Sequence, residues 1–206
     1  MPTPSERGAI GAVILAAGAS RRMGTNKMLL PVEGEPMVRR TVRTAIEAGL
    51  DPVVVVVGHE PERVREALAG LACTFATSDD HTGPTSASLH AGLRTLEEAH
   101  AADGARVGAA TVLLGDMVHV TAPMLRALAD SARERTAPLE VSRYGDVLAP
   151  PLLFQRSLWP ELLAWTGEGC GKAVVRAHAA EATMHDWPAD RLRDVDTPAD
   201  YEGLTR

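Results

Sequence analysis

The fold is decided by residues 12–30, AVILAAGASRRMGTNKMLL. Val13, Ile14 and Leu15 make a continuous apolar run, the signature of a strand buried on both faces, and residues 9–16 read as that strand. Ala16, Ala17 and Gly18 end it, and Arg21, Arg22 and Lys27 then crowd around Gly24. A glycine loop at the carboxyl end of the first strand of an open α/β sheet is where phosphates and nucleotides usually sit. Small residues let a ligand approach the backbone, whose N–H groups receive anionic oxygens. Arg22 offers a fork and Lys27 a point charge for phosphate. The competing reading is a solvated loop whose cations keep it soluble.

Two familiar phosphate loops are excluded. The GxGxxG fingerprint is missing, because Gly18 is followed by Ala19 and Ser20 and the next glycine is Gly24. GxxxxGK[ST] also fails, since Lys27 lies past Gly24 and precedes Met28. What remains is an open basic loop with a hydroxyl at Ser20.

Beyond the loop, the apolar pattern alternates between strand and helix. Residues 36–49 are spaced as a helix, 52–57 (PVVVVV) as a strand, 60–71 as a helix and 73–77 as a strand. Helices follow at 86–100 and 121–135, with a strand at 111–114 between them. Strands joined by helices imply parallel pairing with right-handed crossovers. The expected fold is a three-layer α/β/α sandwich around a mostly parallel, Rossmann-like sheet. Residues 139–143 and 148–154 read as a further strand pair, 158–165 and 171–180 as helices, and 183–187 as a late strand. Pro198 begins a last helix, with Thr197 near its cap. No linker or repeat divides the chain, so one domain over residues 1–206 is expected, with 1–8 a disordered tail.

Composition narrows the partners. The chain has 206 residues, 45% hydrophobic and 23% charged, and a net charge of −6. That balance excludes a protein that coats nucleic acid, which needs a basic face. Cys73 and Cys170 are the two cysteines, with no CxxC, so a reduced cytoplasmic setting is expected. No stretch approaches the roughly 20 apolar residues of a membrane span.

The run Leu15-Ala16-Ala17-Gly18-Ala19-Ser20-Arg21-Arg22-Met23-Gly24-Thr25-Asn26-Lys27 resembles the LAAGxSxRMGxxK signature of nucleotidyltransferases related to molybdenum cofactor cytidylyltransferase. The wider group holds the guanylyltransferase of molybdopterin guanine dinucleotide synthesis and the sugar-nucleotide pyrophosphorylases. Leu29-Leu30-Pro31, Gly34-Glu35-Pro36-Met37-Val38 and Asp194-Val195-Asp196-Thr197-Pro198-Ala199-Asp200-Tyr201 extend the resemblance, which runs from about residue 9 to 204. It implies a sheet of the nucleotide-diphospho-sugar transferase type and Mg²⁺-dependent transfer of CMP from CTP to the phosphate of molybdopterin, with release of pyrophosphate. A molybdoenzyme would receive the product. The implied roles are Lys27 and Arg22 in catalysis, Leu15, Ala16, Ala17, Gly18, Ser20, Gly24, Ser86 and Ser88 in nucleotide binding, and Asp116 and Asp196 as metal ligands. From the residues alone, Asp116 stands just after a strand on the loop's edge of the sheet, where carboxylates face the crevice. A turn residue at Asp116 and a helix cap at Asp196 are the plainer readings, and Asp194 is structural.

The details leave choices open. The Ala17 version of the loop resembles cytidylyl-selective members, whereas guanylyl members usually read LAGG. Ser86 and Ser88 match the family's SLxAGL region, yet as helix-capping hydroxyls they are equally well explained. The family's usual Asn-Pro is missing near Thr77-Ser78. Its Asp-x-Pro becomes Asp116-Met117-Val118, and its acceptor-side Gly-His-Pro becomes Leu148-Ala149-Pro150. Lys172 in GEGCGK touches an acceptor phosphate or lies on a solvated loop. His119 and Cys170 read as structural. A GTP-dependent enzyme, a sugar- or alcohol-phosphate acceptor, and a non-catalytic nucleotide-binding module are the alternatives.

Overall fold

The computed structural model describes residues 8–20, 22–78, 85–101, 104–167, 169–192, 195 and 197–204. In chain order the strands are β1 Ala9–Ala16, β2 Pro31–Val32, β3 Glu35–Pro36, β4 Val53–Val57, β5 Thr74–Thr77, β6 Val107–Leu114, β7 Leu139–Tyr144, β8 Val147–Gln155 and β9 Thr183–Trp187. The helices are α1 Met37–Glu47, α2 Pro61–Ala67, α3 Thr85–Glu98, α4 Ala122–Glu134, α5 Trp159–Ala164, α6 Cys170–Ala177 and α7 Pro198–Leu204. Seven strands form one sheet in the order β5-β4-β1-β6-β8-β7-β9. Only β8 runs against its neighbours in that sheet.

Two apolar layers cover the sheet, as its central strands, apolar but for Thr111 of β6, require. On one face Val42 and Ala45 of α1, Val64 of α2 and Leu125 and Leu128 of α4 pack on Ile14, Val55 and Leu113. On the other, Leu89 and Leu93 of α3, Leu162 of α5 and Val174 of α6 pack on Val13, Val56 and Phe154. The expected three-layer, mostly parallel α/β architecture is the one observed.

Two boundaries lie four residues from the sequence reading, and one short element was not expected. β6 starts at Val107, earlier than expected, because the small residues Gly108, Ala109 and Ala110 carry no strand signal yet pair with β1 across a bulge at Ala9/Ile10. α2 stops at Ala67, where Arg39 Nη1 donates to the Ala67 and Ala69 carbonyls and satisfies the helix end. A short hairpin, β2–β3, forms around Glu33 and Gly34, both at positive φ, as a tight two-residue turn requires.

The chain order places the crevice. β1 lies between β4 and β6; the connection to β4, through α1, covers one face of the sheet, and the connection entering β6, through α3, covers the other. Ligands of open α/β sheets collect at such a switch point, outside the carboxyl ends of the strands.

Candidate active site

The carboxyl ends of β1 and β6 meet closely. Gly115 N donates to Leu15 O at 2.9 Å, which sets the end of β6 against the start of the glycine loop. A Cβ on Gly115 would lie 2.7 Å from Met28 Sδ and 3.2 Å from Ala16 Cβ, so a larger residue here would have to displace Met28. Asp116 therefore emerges directly beside the loop.

The loop is built by its own polar residues. Ser20 sits in the left-handed region at φ 49°, and its Oγ accepts from Lys27 N at 3.2 Å. Buried Asn26 caps the short 3-10 turn Lys27–Leu29 by accepting from Met28 N, while its Nδ2 donates to His59 O at 3.3 Å. His59 N in turn donates to Ala17 O. Lys27 is thus mounted on a capped turn tied to the ends of both β1 and β4.

Lys27 Nζ and Asp116 Oδ2 are 2.5 Å apart, with side chains only 15% and 9% exposed. A carboxylate so poorly solvated needs a counter-charge, and the loop lysine supplies it. Arg22 is exposed on the same loop. Leu15, Ala16 and Ala17 are buried, whereas Gly18 and Gly24 face outward.

The structure brings most of the expected residues to one edge of the sheet. Ser86 and Ser88 are buried near the start of α3, and Ser88 Oγ donates to Ser78 Oγ at 3.1 Å. Ser78 N bonds Val57 O, so this pair ties α3 to the ends of β4 and β5. Asp196 and Asp194 lie outside the described residues, as do Arg21 and residues 79–84. The neighbours of Asp196 are nevertheless informative. Val195 is buried in a small cluster with Val118, Val32 and Met37. Thr197 and Asp200 form a reciprocal cap at the start of α7, with Thr197 N 2.7 Å from Asp200 Oδ2 and Asp200 N 3.3 Å from Thr197 Oγ1. Val118, the residue that departs from Asp-x-Pro, is the one that packs with Val195.

Other residues fall out as expected or differently. Cys170 is buried, its Sγ donates to Leu162 O at 3.3 Å, and burial with the nearby Glu161 charge pushes its thiol up to about 11. Such a thiol is no nucleophile. His90 Nε2 meets the same Leu162 carbonyl at 2.8 Å, a neighbour that chain spacing did not reveal. Ala149 packs beside the core on the α1–α4 face, and Pro150 O accepts from Tyr144 OH at 3.1 Å. Lys172 is exposed on the first turn of α6, and His119 is half-buried.

A residue the sequence reading passed over is Thr41 of α1, fully enclosed, whose Oγ1 lies 3.1 Å from Gly115 O. Its partner is remote in the chain, so no local pattern exposes the contact. Among the described residues no group of three His, Cys, Asp or Glu is arranged to hold a metal ion. None of the described helices is long and apolar enough to cross a membrane.

A basic glycine loop and a carboxylate paired at the switch point of this sheet make a crevice suited to a phosphate-bearing nucleotide. The chain belongs to the family of the MobA-like NTP transferase domain, whose profile matches residues 12–182. It is similar to the purine catabolism protein PucB of Bacillus subtilis, 29% identical over 203 residues, covering 94% of this chain and 95% of PucB. The bifunctional protein GlmU of Cupriavidus pinatubonensis is 39% identical over 122 residues, 58% of this chain but 25% of GlmU. Among solved structures, Rv0371c from Mycobacterium tuberculosis superposes with a TM-score of 0.81 at 29% identity, covering 96% of this chain and 97% of that one. Rv0371c has also been solved in complex with manganese, with a TM-score of 0.74, 27% identity and coverage of 96% and 98%. The protein is accordingly an enzyme of the nucleotidyltransferase class, acting on a nucleoside triphosphate and a phosphorylated acceptor.

Proposed function

We propose that the protein transfers CMP from CTP to the phosphate of molybdopterin and releases pyrophosphate, with Mg²⁺ as the metal. The observation that carries the reading is the Lys27–Asp116 pair at the mouth of the Ala16-Ala17-Gly18 loop. Gly18 supports it further: its φ is not left-handed, and an added Cβ would meet no described atom within 4 Å. Nothing among the described residues requires glycine there, while a triphosphate lying on the loop would.

The donor set suits a hard divalent cation. Mg²⁺ takes oxygen ligands, commonly one or two carboxylates with substrate phosphates completing the shell. Asp116 supplies one carboxylate beside the loop, and Asp196, between buried Val195 and capped Thr197, is the proposed second. Bound there, the metal would neutralise phosphate charge and orient the reacting groups.

The chain's own part is alignment and charge. A phosphate monoester is ionised at neutral pH, so its oxygen attacks the α-phosphorus of CTP without a protein base. An O–Pα bond forms, the bond from Pα to the bridging oxygen breaks, and pyrophosphate departs with both electrons of that bond. Lys27 and Arg22 stabilise the charge that gathers on pyrophosphate. Leu15, Ala16, Ala17, Ser20 and Gly24 shape the nucleotide bed. Ser86 and Ser88 hold the base side, Ser88 through its bond to Ser78.

One departure favours a second acceptor. Ala149, where relatives of the cytidylyltransferase type carry an acceptor-side histidine, is packed beside the core and offers no polar group. A sugar- or alcohol-phosphate acceptor is consistent with that loss. The experiment is pyrophosphate release from CTP, GTP, ATP and UTP, each with molybdopterin, a sugar phosphate or no acceptor. Release with CTP and molybdopterin alone supports the proposal. Release with another pair reassigns the substrates, and no release with any pair favours a nucleotide-binding module.

A further inference from the structure

We propose that Thr41 of α1 is a positioning residue for Asp116, acting with Arg40 as a two-point clamp on the turn 115–118. The inference rests on the reading of Asp116 as a metal ligand.

The turn carries the site's carboxylate, and its backbone is held from several sides. Gly115 N bonds β1 through Leu15 O, and Val118 N bonds Asp116 O at 2.9 Å within the turn. Met117 N bonds Leu114 O at the end of β6, and two further fixings come from one helix. Thr41 Oγ1 lies 3.1 Å from Gly115 O and 3.2 Å from Met37 O, so its single proton sits between its own helix and the residue before Asp116. Arg40 Nε donates to Val118 O at 3.2 Å, the far end of the same turn. Arg40 Nη1 also pairs with Glu33 in the β2–β3 turn, which anchors the guanidinium.

The chemistry gives this clamp a purpose beyond packing. Thr41 is 2% exposed, so water cannot replace its hydroxyl when it is removed. Valine has nearly the same shape but no donor, and Gly115 O would then lose a buried partner. The end of the turn next to Asp116 would be held less firmly, and the Asp116 carboxylate with it. Partners outside the ligand sphere commonly change metal affinity about 10-fold to 100-fold by orienting the ligand. Threonine in mid-helix is otherwise a neutral choice, because its hydroxyl competes for backbone groups. Here that competing hydroxyl is directed at a carbonyl of the acidic turn.

The test compares wild type, Thr41→Val, Thr41→Ser and Arg40→Met. Mn²⁺ affinity is read by electron paramagnetic resonance, with and without a non-hydrolysable CTP analogue, and turnover is measured against metal concentration. Thr41→Val should weaken Mn²⁺ binding about 10-fold and raise the metal needed for half-maximal turnover. The KM for triphosphate at saturating metal should stay near wild type. Thr41→Ser keeps the hydroxyl and should restore the affinity, and Arg40→Met should weaken it in the same sense. Equal Mn²⁺ affinity in wild type and Thr41→Val, or no rescue by serine, overturns the clamp. Wild-type protein that binds Mn²⁺ but transfers no nucleotide removes the proposed reaction and leaves the clamp to be judged by affinity. Wild-type protein that binds no Mn²⁺ under either condition overturns the metal reading and the clamp together.

Discussion

Lys27 and Asp116, on different connections of the sheet, meet at 2.5 Å across the carboxyl ends of β1 and β6. Both charges are largely withdrawn from water, so each depends on the other. A divalent ion on Asp116 would repel the lysine, and a triphosphate offers that lysine a new anionic partner. Metal and nucleotide are therefore expected to enter this site together.

Replacing Lys27 by Met separates the two roles of that pair. Turnover should fall about 10²-fold to 10³-fold, the usual loss when one charge-stabilising donor is removed. Mn²⁺ binding without nucleotide should tighten, because Asp116 no longer holds a competing cation. Stability should drop by about 1–3 kcal/mol, less than for a fully buried pair, since both groups keep some solvent. Calorimetric Mn²⁺ titration beside a urea melt decides it, and weaker metal binding in the variant would contradict the exchange.

Gly92 on α3 rests directly on the sheet. A Cβ there would collide with Val13 Cγ1 and come within 2.9 Å of Val56 Cγ2. Valine side chains are stiff at χ1 and sit in a close-packed layer, so they cannot swing aside. Gly92→Ala should lose about 1–3 kcal/mol despite alanine's better helix propensity. The urea midpoint of the variant is the measurement, and an unchanged midpoint would mean that α3 can lift from the sheet.

Glu140 in β7 is fully buried, with Oε2 2.8 Å from His185 Nε2 of β9 and Oε1 without a hydrogen-bond partner among the described residues. Removing the histidine leaves a buried acid uncompensated. His185→Leu should cost about 3–5 kcal/mol, while Glu140→Leu with His185→Leu should recover most of the loss, because two apolar groups can replace a buried pair. A double-variant cycle by chemical denaturation tests this. Additive losses would show that the contact does not matter.

Alkaline pH should weaken the fold in a defined window. Burial pushes the Cys170 thiol up to about 11 and the Tyr144 hydroxyl up to about 12. Both groups lose their proton earlier in the unfolded chain, so the unfolded state binds fewer protons and stability falls as pH rises. The Cys170 contribution is intact below pH 9.0 and gone above about 11. That of Tyr144 fades from 10.0 to about 12. Cys170→Ala should flatten the first part of the decline in urea midpoint, and the native thiol should resist a thiol reagent at pH 8.

Much of this was legible along the chain. The apolar runs 9–16 and 52–57 announced buried strands because a two-faced core leaves no polar positions, and the strand–helix alternation implied parallel pairing. The loop from Ala16 to Lys27 carried its own chemistry, since small residues and cations are local facts. The start of the last helix, with Thr197 near its cap, was likewise legible locally, although its capping partner Asp200 was not read. β6 was harder to bound, because alanine and glycine take strand form only where β1 and β8 offer partners.

Contacts between distant segments belonged to the tertiary structure alone. Lys27 meets Asp116, Thr41 reaches Gly115, and Val118 packs with Val195 because the sheet order sets these turns side by side. Period and spacing report which face of an element is apolar. They say nothing of which remote carbonyl a buried hydroxyl will find, for that depends on the separation of whole elements once both cores have packed.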